Sequence, residues 1–143
     1  MLIRLLLLED DPDFAELVKI RLTQNDVPIQ FELHWETTLA GAVSYLIKDK
    51  VDLMIVDLGL PDTTGPETVT KLKSVAGDIP IVVLSAENDE ETMWEVMCNG
   101  AKDHLVKSEV TSGTLPIAVL GALLRHFERL PERMWCLSKA SGS

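Results

Sequence analysis

Val51-Asp52-Leu53-Met54-Ile55-Val56-Asp57-Leu58-Gly59-Leu60-Pro61-Asp62-Thr63-Thr64-Gly65 is an apolar run that stops at an acid and then breaks into turn-forming residues. From Val51 to Val56 only Asp52 is polar, so this reads as a strand buried on both faces of a parallel sheet and ending at Asp57. Gly59, Pro61, Asp62 and Gly65 make the loop beyond it. Upstream, Ile3 to Leu8 is a second such strand, closed by Glu9, Asp10 and Asp11. Asp11 followed by Pro12 is a helix-start signal, and Phe14, Leu17, Val18, Arg21 and Leu22 recur at helical spacing. Ile29 to Trp35 alternates apolar and polar residues like a strand with one wetter side, towards a sheet edge. Thr37 or Thr38 then caps a helix whose apolar face is Leu39, Ala42, Val43, Leu46 and Ile47.

Downstream of the loop the alternation continues. A weak helix runs from about Pro66 to Val75, and Ile79 to Leu84 is the fourth strand. Asn88 with Glu91 resembles a capping box for a helix presenting Met93, Val96 and Met97, which Asn99-Gly100 stops. His104 to Val106 is a short fifth strand, and Leu115 to Phe127 a fifth helix built on Leu120, Leu123, Leu124 and Phe127. Strict strand-helix alternation predicts an α/β fold: a doubly wound parallel sheet of five strands with five helices on its two faces. The pattern fades after Phe127, giving one domain over residues 1–128 and a tail or linker over 129–143 that leads on to an output domain, or else ends a stand-alone module.

Composition narrows the function. At 143 residues and 46% hydrophobic content the chain can build one sizeable core. Its 13 basic and 23 acidic side chains give a net charge of -10, which repels nucleic-acid backbones and anionic lipid. The apolar run at the N-terminus, Leu5 to Leu8, is too short for a signal peptide, and nothing approaches a membrane span. Cys98 and Cys136 lack a Cys-x-x-Cys spacing, so the expectation is two unpaired thiols in a reducing, cytoplasmic compartment.

In a doubly wound sheet ligands bind at the carboxyl ends of the strands. Glu9, Asp10 and Asp11 end the first strand, Asp57 the third, Ser85 the fourth, and Lys107 follows the fifth. Converging carboxylates repel one another, and Mg²⁺ relieves that conflict because it takes oxygen ligands and commonly shares them with phosphate. Asp10 and Asp57 are the expected ligands, with Asp11 binding directly or through water while also capping the following helix, and with the backbone carbonyl of Gly59. Glu9 reads rather as a helix cap or solvated loop charge. Asp57 is the natural nucleophile, while a lysine and a hydroxyl donor complete the demands of phosphoryl transfer.

The ordered set Leu-Leu-Leu-Glu-Asp-Asp-Pro, Ile-Val-Asp-Leu-Gly-Leu-Pro-Asp-Thr-Thr-Gly, Val-Leu-Ser-Ala and Gly-Ala-Lys-Asp-His-Leu-Val-Lys resembles the receiver (CheY-like) family of two-component response regulators, from Leu2 to about Phe127. The resemblance implies a flavodoxin-like sheet of strand order 2-1-3-4-5. It implies that Asp10 and Asp11 are the acidic metal pair, Asp57 the phosphoacceptor, Ser85 the switch hydroxyl and Lys107 the phosphoryl-contacting lysine. It also implies a sensor histidine kinase or histidine phosphotransfer protein as donor, a switched surface around the fourth helix, fifth strand and fifth helix, and no enzymatic turnover beyond self-catalysed phosphorylation and dephosphorylation.

Two positions depart from that family. His104 stands where Tyr or Phe is usual, reading either as an altered switch drawn inward on phosphorylation or as a partly exposed strand residue. Ser108 replaces the usual cis-proline after the lysine, so that peptide bond is expected to be trans. On the fourth helix, Trp94 is either a partner anchor or a border of the core. No Lys or Arg falls between Asn88 and Asn99, which disfavours a homodimer built on interleaved charges there. Two alternatives stay open: a pseudo-receiver that only docks or dimerises, and a haloacid-dehalogenase-type phosphatase. The second needs an Asp two residues after the nucleophile, where this chain has Gly59.

Overall fold

The computed structural model describes residues 1–24, 28–86 and 90–128. Five strands, β1 (Leu2–Leu8), β2 (Gln30–Glu36), β3 (Leu53–Asp57), β4 (Ile81–Ser85) and β5 (Asp103–Val106), form one parallel sheet in the order β2-β1-β3-β4-β5. Between and after them run α1 (Pro12–Thr23), α2 (Leu39–Lys48), α3 (Glu67–Ala76), α4 (Glu90–Cys98) and α5 (Thr114–Glu128). The doubly wound fold and the strand order are those the alternation and the resemblance lead one to expect, and β2 is indeed an edge strand.

Strand periodicity sorts the core into two layers. Ile3, Leu5 and Leu7 of β1, Leu53 and Ile55 of β3, and Val82 and Leu84 of β4 pack with Ala15, Val18 and Leu22 of α1 and Leu115, Val119 and Ala122 of α5. The intervening residues, Leu6, Leu8, Met54, Val56, Ile81 and Val83, face Leu39 and Ala42 of α2, Val69 and Leu72 of α3, and Val96 of α4. β3 and β4 are buried along their whole length, as strands covered by helices on both faces must be.

Local signals set the helix starts. Asp11 caps α1 through its side chain, which accepts from the Asp13 amide, with Pro12 in the first turn. Of the two threonines before α2, Thr38 is the cap, accepting from the Gly41 amide at 3.1 Å. α4 begins at Glu90; Asn88, the expected cap, lies outside the described residues, as does the tail over 129–143. Trp94 and Met97 on α4 are half-buried, and Val96 is its buried residue. No described helix is long and apolar enough to cross a membrane.

Cys98 corrects one expectation: it is disulfide-bonded rather than free. Sequence spacing does not report the sulfur-to-sulfur approach that pairing requires, which only the fold fixes.

Ile55 is fully buried at the centre of the sheet, whereas Ile47 on α2 is 74% exposed. In urea unfolding, Ile55→Ala is expected to cost about 2–5 kcal/mol through lost burial and the cavity left behind, and Ile47→Ala well under 1 kcal/mol, on the order of an ordinary surface change.

Candidate functional site

β1 and β3 run side by side, Leu5 to Leu8 in register with Leu53 to Val56, so the residues at their carboxyl ends share one rim. Alternation then decides what faces inward. Leu5 and Leu7 point to the α1/α5 layer, and the next residue of that phase is Glu9; Leu53 and Ile55 share the layer, and their successor is Asp57. Glu9 is 0% exposed and Asp57 4%. Lys107, in the short 3-10 turn after β5, places its Nζ 3.0 Å and 2.9 Å from the two Glu9 carboxylate oxygens and 3.3 Å from Asp57 Oδ2. The Phe14 ring of α1 lies under the ammonium, 4.6 Å from its centre. Exposed Asp10 completes the group: carboxylate oxygens of Glu9, Asp10 and Asp57 all lie within 4.8 Å of one another.

The other rim residues come from β4 and β5. Ser85 is the last residue of β4, one beyond Leu84, which pairs with Asp57. Its Oγ lies 2.8 Å from His104 Nε2. In the loop after β3, the Gly59 amide donates to Asp57 Oδ1 at 3.1 Å. Further along that loop Asp62 accepts from the amides of Leu39 at 2.9 Å and Ala40 at 3.1 Å, tying it to the start of α2.

The family model "Response regulator receiver domain" matches residues 5–117. The chain belongs to that family. This receiver is 33% identical over 107 residues to the transcriptional regulatory protein KdpE of Staphylococcus aureus, covering 73% of the chain and 43% of that protein. It is 32% identical over 101 residues to the regulatory protein LuxO of Vibrio cholerae, covering 71% of the chain and 21% of that protein. The chain therefore spans less than half the length of these relatives. Among solved structures, a sensor protein from Polaromonas superposes with a TM-score of 0.74 at 28% identity, covering 87% of this chain and 98% of that one. A CheY-like receiver domain protein from Methanospirillum hungatei does so with a TM-score of 0.76 at 18% identity, covering 91% and 100%, which speaks for the fold.

Within the receiver, the acids are distributed differently from the expectation. Asp11 stays outside the carboxylate group: its Oδ1 caps α1, 3.0 Å from the Asp13 amide. Glu9, read from sequence as a cap or solvated charge, is the buried member instead, and its Oε1 also accepts from the Asp11 amide at 3.2 Å. The acidic pair at the end of β1 is thus Glu9 and Asp10 rather than Asp10 and Asp11. The physical reason is phase. Glu9 continues the inward alternation of Leu5 and Leu7, and Asp11 falls where the helix needs an acceptor.

Burial, and less strongly the neighbouring Asp57, push the Glu9 carboxyl up to about 7 despite its bond to Lys107. For Lys107, burial disfavours the charge, but the bond to Glu9 and the attraction of both carboxylates outweigh it and hold the ammonium above its ordinary value. Three clustered carboxylates against one ammonium leave surplus negative charge, the Lys107 ammonium being shared among both Glu9 oxygens and Asp57 Oδ2. An oxygen-rich, under-neutralised pocket of this kind fits a hard divalent cation such as Mg²⁺.

His104 is buried at 9% exposure and turned to Ser85. The reading of it as a partly exposed strand residue does not hold. Its Nδ1 is buried without a hydrogen-bond partner. A neutral ring donating from Nε2 to Ser85 leaves that nitrogen a bare acceptor, which costs less than the unpaired N–H an imidazolium would bury there. Burial accordingly lowers the His104 pKa, against the opposing pull of Asp103 and Glu109. No cis peptide bond occurs among the described residues, so Lys107–Ser108 is trans as expected.

A depressed folded-state value means that below about pH 6.5 the unfolded chain takes up a proton at this position that the folded chain refuses. The contribution is present above pH ~6.5 and is lost as pH falls through the folded value. Thermal midpoints of the parent are expected to fall more steeply below about pH 6.5 than those of His104→Phe; parallel curves in the two proteins would show that His104 does not carry the slope.

Proposed function

We propose that this receiver accepts a phosphoryl group on Asp57 from a phosphohistidine of a sensor histidine kinase or histidine phosphotransfer protein. The observation that carries the reading is the buried Glu9–Lys107–Asp57 cluster at one strand-end rim, which has no purpose in packing: burying two carboxylates and an ammonium costs more than apolar side chains would. In the transfer, an Asp57 carboxylate oxygen attacks phosphorus, the donor's N–P bond breaks, and the donor imidazole leaves with the electron pair and is protonated. Lys107 and the Ser85 hydroxyl neutralise and orient the phosphoryl oxygens. Glu9, Asp10 and Asp57, with the Gly59 carbonyl, would hold Mg²⁺, which supplies positive charge at the phosphoryl oxygens when bound.

Phosphorylation would recruit the Ser85 hydroxyl and so compete with His104 for it, passing the change to the surface of α4, β5 and α5. That surface serves an output domain or a second copy of the chain, with no direct contact to nucleic acid or membrane given the charge of -10. The chain is a phosphoacceptor with self-catalysed chemistry and not a turnover enzyme. A phosphatase of haloacid-dehalogenase type is disfavoured by Gly59, which offers no general acid two residues beyond Asp57. A docking module without phosphorylation would leave the buried charge cluster without a role.

Acetyl phosphate with Mg²⁺ is expected to label the protein once, at Asp57, with labelling lost in Asp57→Asn and in excess chelator. A label mapping elsewhere, or undiminished by chelation, would overturn the proposal. The two halves of the site should also separate. Asp10→Asn is expected to weaken Mg²⁺ binding by about tenfold, the loss of roughly 1.4 kcal/mol of ligand energy. Lys107→Ala should leave that affinity within about threefold while abolishing stable beryllofluoride binding; equal losses of metal affinity in both variants would contradict the division of labour.

A further inference from the structure

We propose that Trp35 is a positioning residue for the acidic turn, its indole N–H clamping the peptide that joins Glu9 to Asp10. Trp35 is the penultimate residue of edge strand β2, paired with Leu7 of β1. Its Nε1 donates to the Glu9 carbonyl at 2.6 Å. One bond earlier the strand ladder makes its last backbone contact, the Glu9 amide donating to the Glu36 carbonyl at 3.1 Å. β2 ends there, so the Glu9 carbonyl has no strand amide to pair with, and the indole takes that place.

Trp35 is 40% exposed, which makes burial of apolar surface a poor account of a tryptophan on a sheet edge. Its donor is the better account. The Glu9 carbonyl belongs to the peptide plane that ends at the Asp10 Cα, so holding it restricts the direction from which the exposed Asp10 side chain leaves the backbone. From the other side, the Asp11 amide is bonded to Glu9 Oε1 and the Asp11 carboxylate is tied into the cap of α1. Asp10 therefore sits between two fixed neighbours, which orders its carboxylate towards Glu9 and Asp57 before any cation arrives. Preorganised ligands bind more tightly because less ordering remains to be done on binding.

The inference rests on the Mg²⁺ site proposed above, and its test separates the two. Trp35→Phe keeps an aromatic ring on the strand and removes only the donor. By calorimetry its Mg²⁺ dissociation constant is expected to rise on the order of 3- to 10-fold, the loss of one net hydrogen bond. Its melting temperature in chelator should stay close to the parent's, and its phosphorylation should recover at saturating Mg²⁺. An unchanged dissociation constant, or a lowered melting temperature with unchanged affinity, overturns the role of Trp35 alone. A parent protein that binds no Mg²⁺ overturns the metal site and this inference with it. A second measurement needs no change at residue 35. The chain has three tryptophans, and Trp94→Phe with Trp135→Phe leaves Trp35 as the sole indole, whose emission is expected to shift on Mg²⁺ titration; constant emission across a titration that calorimetry shows to be binding speaks against the clamp.

Discussion

Glu9 and Asp57 are buried side by side, and they can be so only because one ammonium stands between them and the α1 layer. The cost of desolvating these charges falls on three separate strands: Glu9 follows β1, Asp57 ends β3, and Lys107 reaches back across β4 from beyond β5. An ion cluster that spans the sheet in this way is a constraint on strand register as well as on charge. Slipping any one strand by a residue would turn its charged group into the opposite layer, among Leu8, Val56 and Val83, with no partner. The same cluster remains electrically incomplete, since one ammonium cannot balance the carboxylates gathered around it. Structural integrity and readiness for a cation thus come from one arrangement.

Ser85 and His104 form a second unit on adjacent strands, bonded to each other rather than to the charged cluster. The ring lies inward, buried against the Ser85 hydroxyl. The imidazole's unpaired Nδ1 is buried, which favours the neutral ring there. A phenylalanine at this position offers only packing, and a tyrosine adds a hydroxyl that stays neutral around pH 7. A histidine adds a dependence on protonation.

Much of this was readable from the chain. Five apolar runs bounded by turns and caps gave the layers, and the position of Asp57, Ser85 and Lys107 at strand ends led to the rim that the structure builds. What could not be read directly was the choice among Glu9, Asp10 and Asp11. Since Leu5 to Leu8 are all buried, hydropathy carries no alternation to say which of three successive acids turns inward. The signal was present in the strand phase, counting by twos from Ile3 through Leu7 to Glu9, and in the separate demand of α1 for an acceptor at Asp11. The Trp35 and Asp62 bonds were beyond reach because each joins a side chain to a backbone group more than 20 residues away, a distance relation that local pattern does not encode. The state of Cys98 was hidden for the same reason.

Asp62 gives the β3–α3 loop a tether to a helix on the far side of the sheet from Lys107. The amides of Leu39 and Ala40 are the opening donors of α2, and a helix whose first donors are satisfied from outside frays when that outside partner leaves. Solvent exchange at these two amides is therefore metered by excursions of a loop more than twenty positions along the chain. The start of α2 becomes a remote gauge of motion beside Asp57, readable without a probe placed anywhere near the carboxylates.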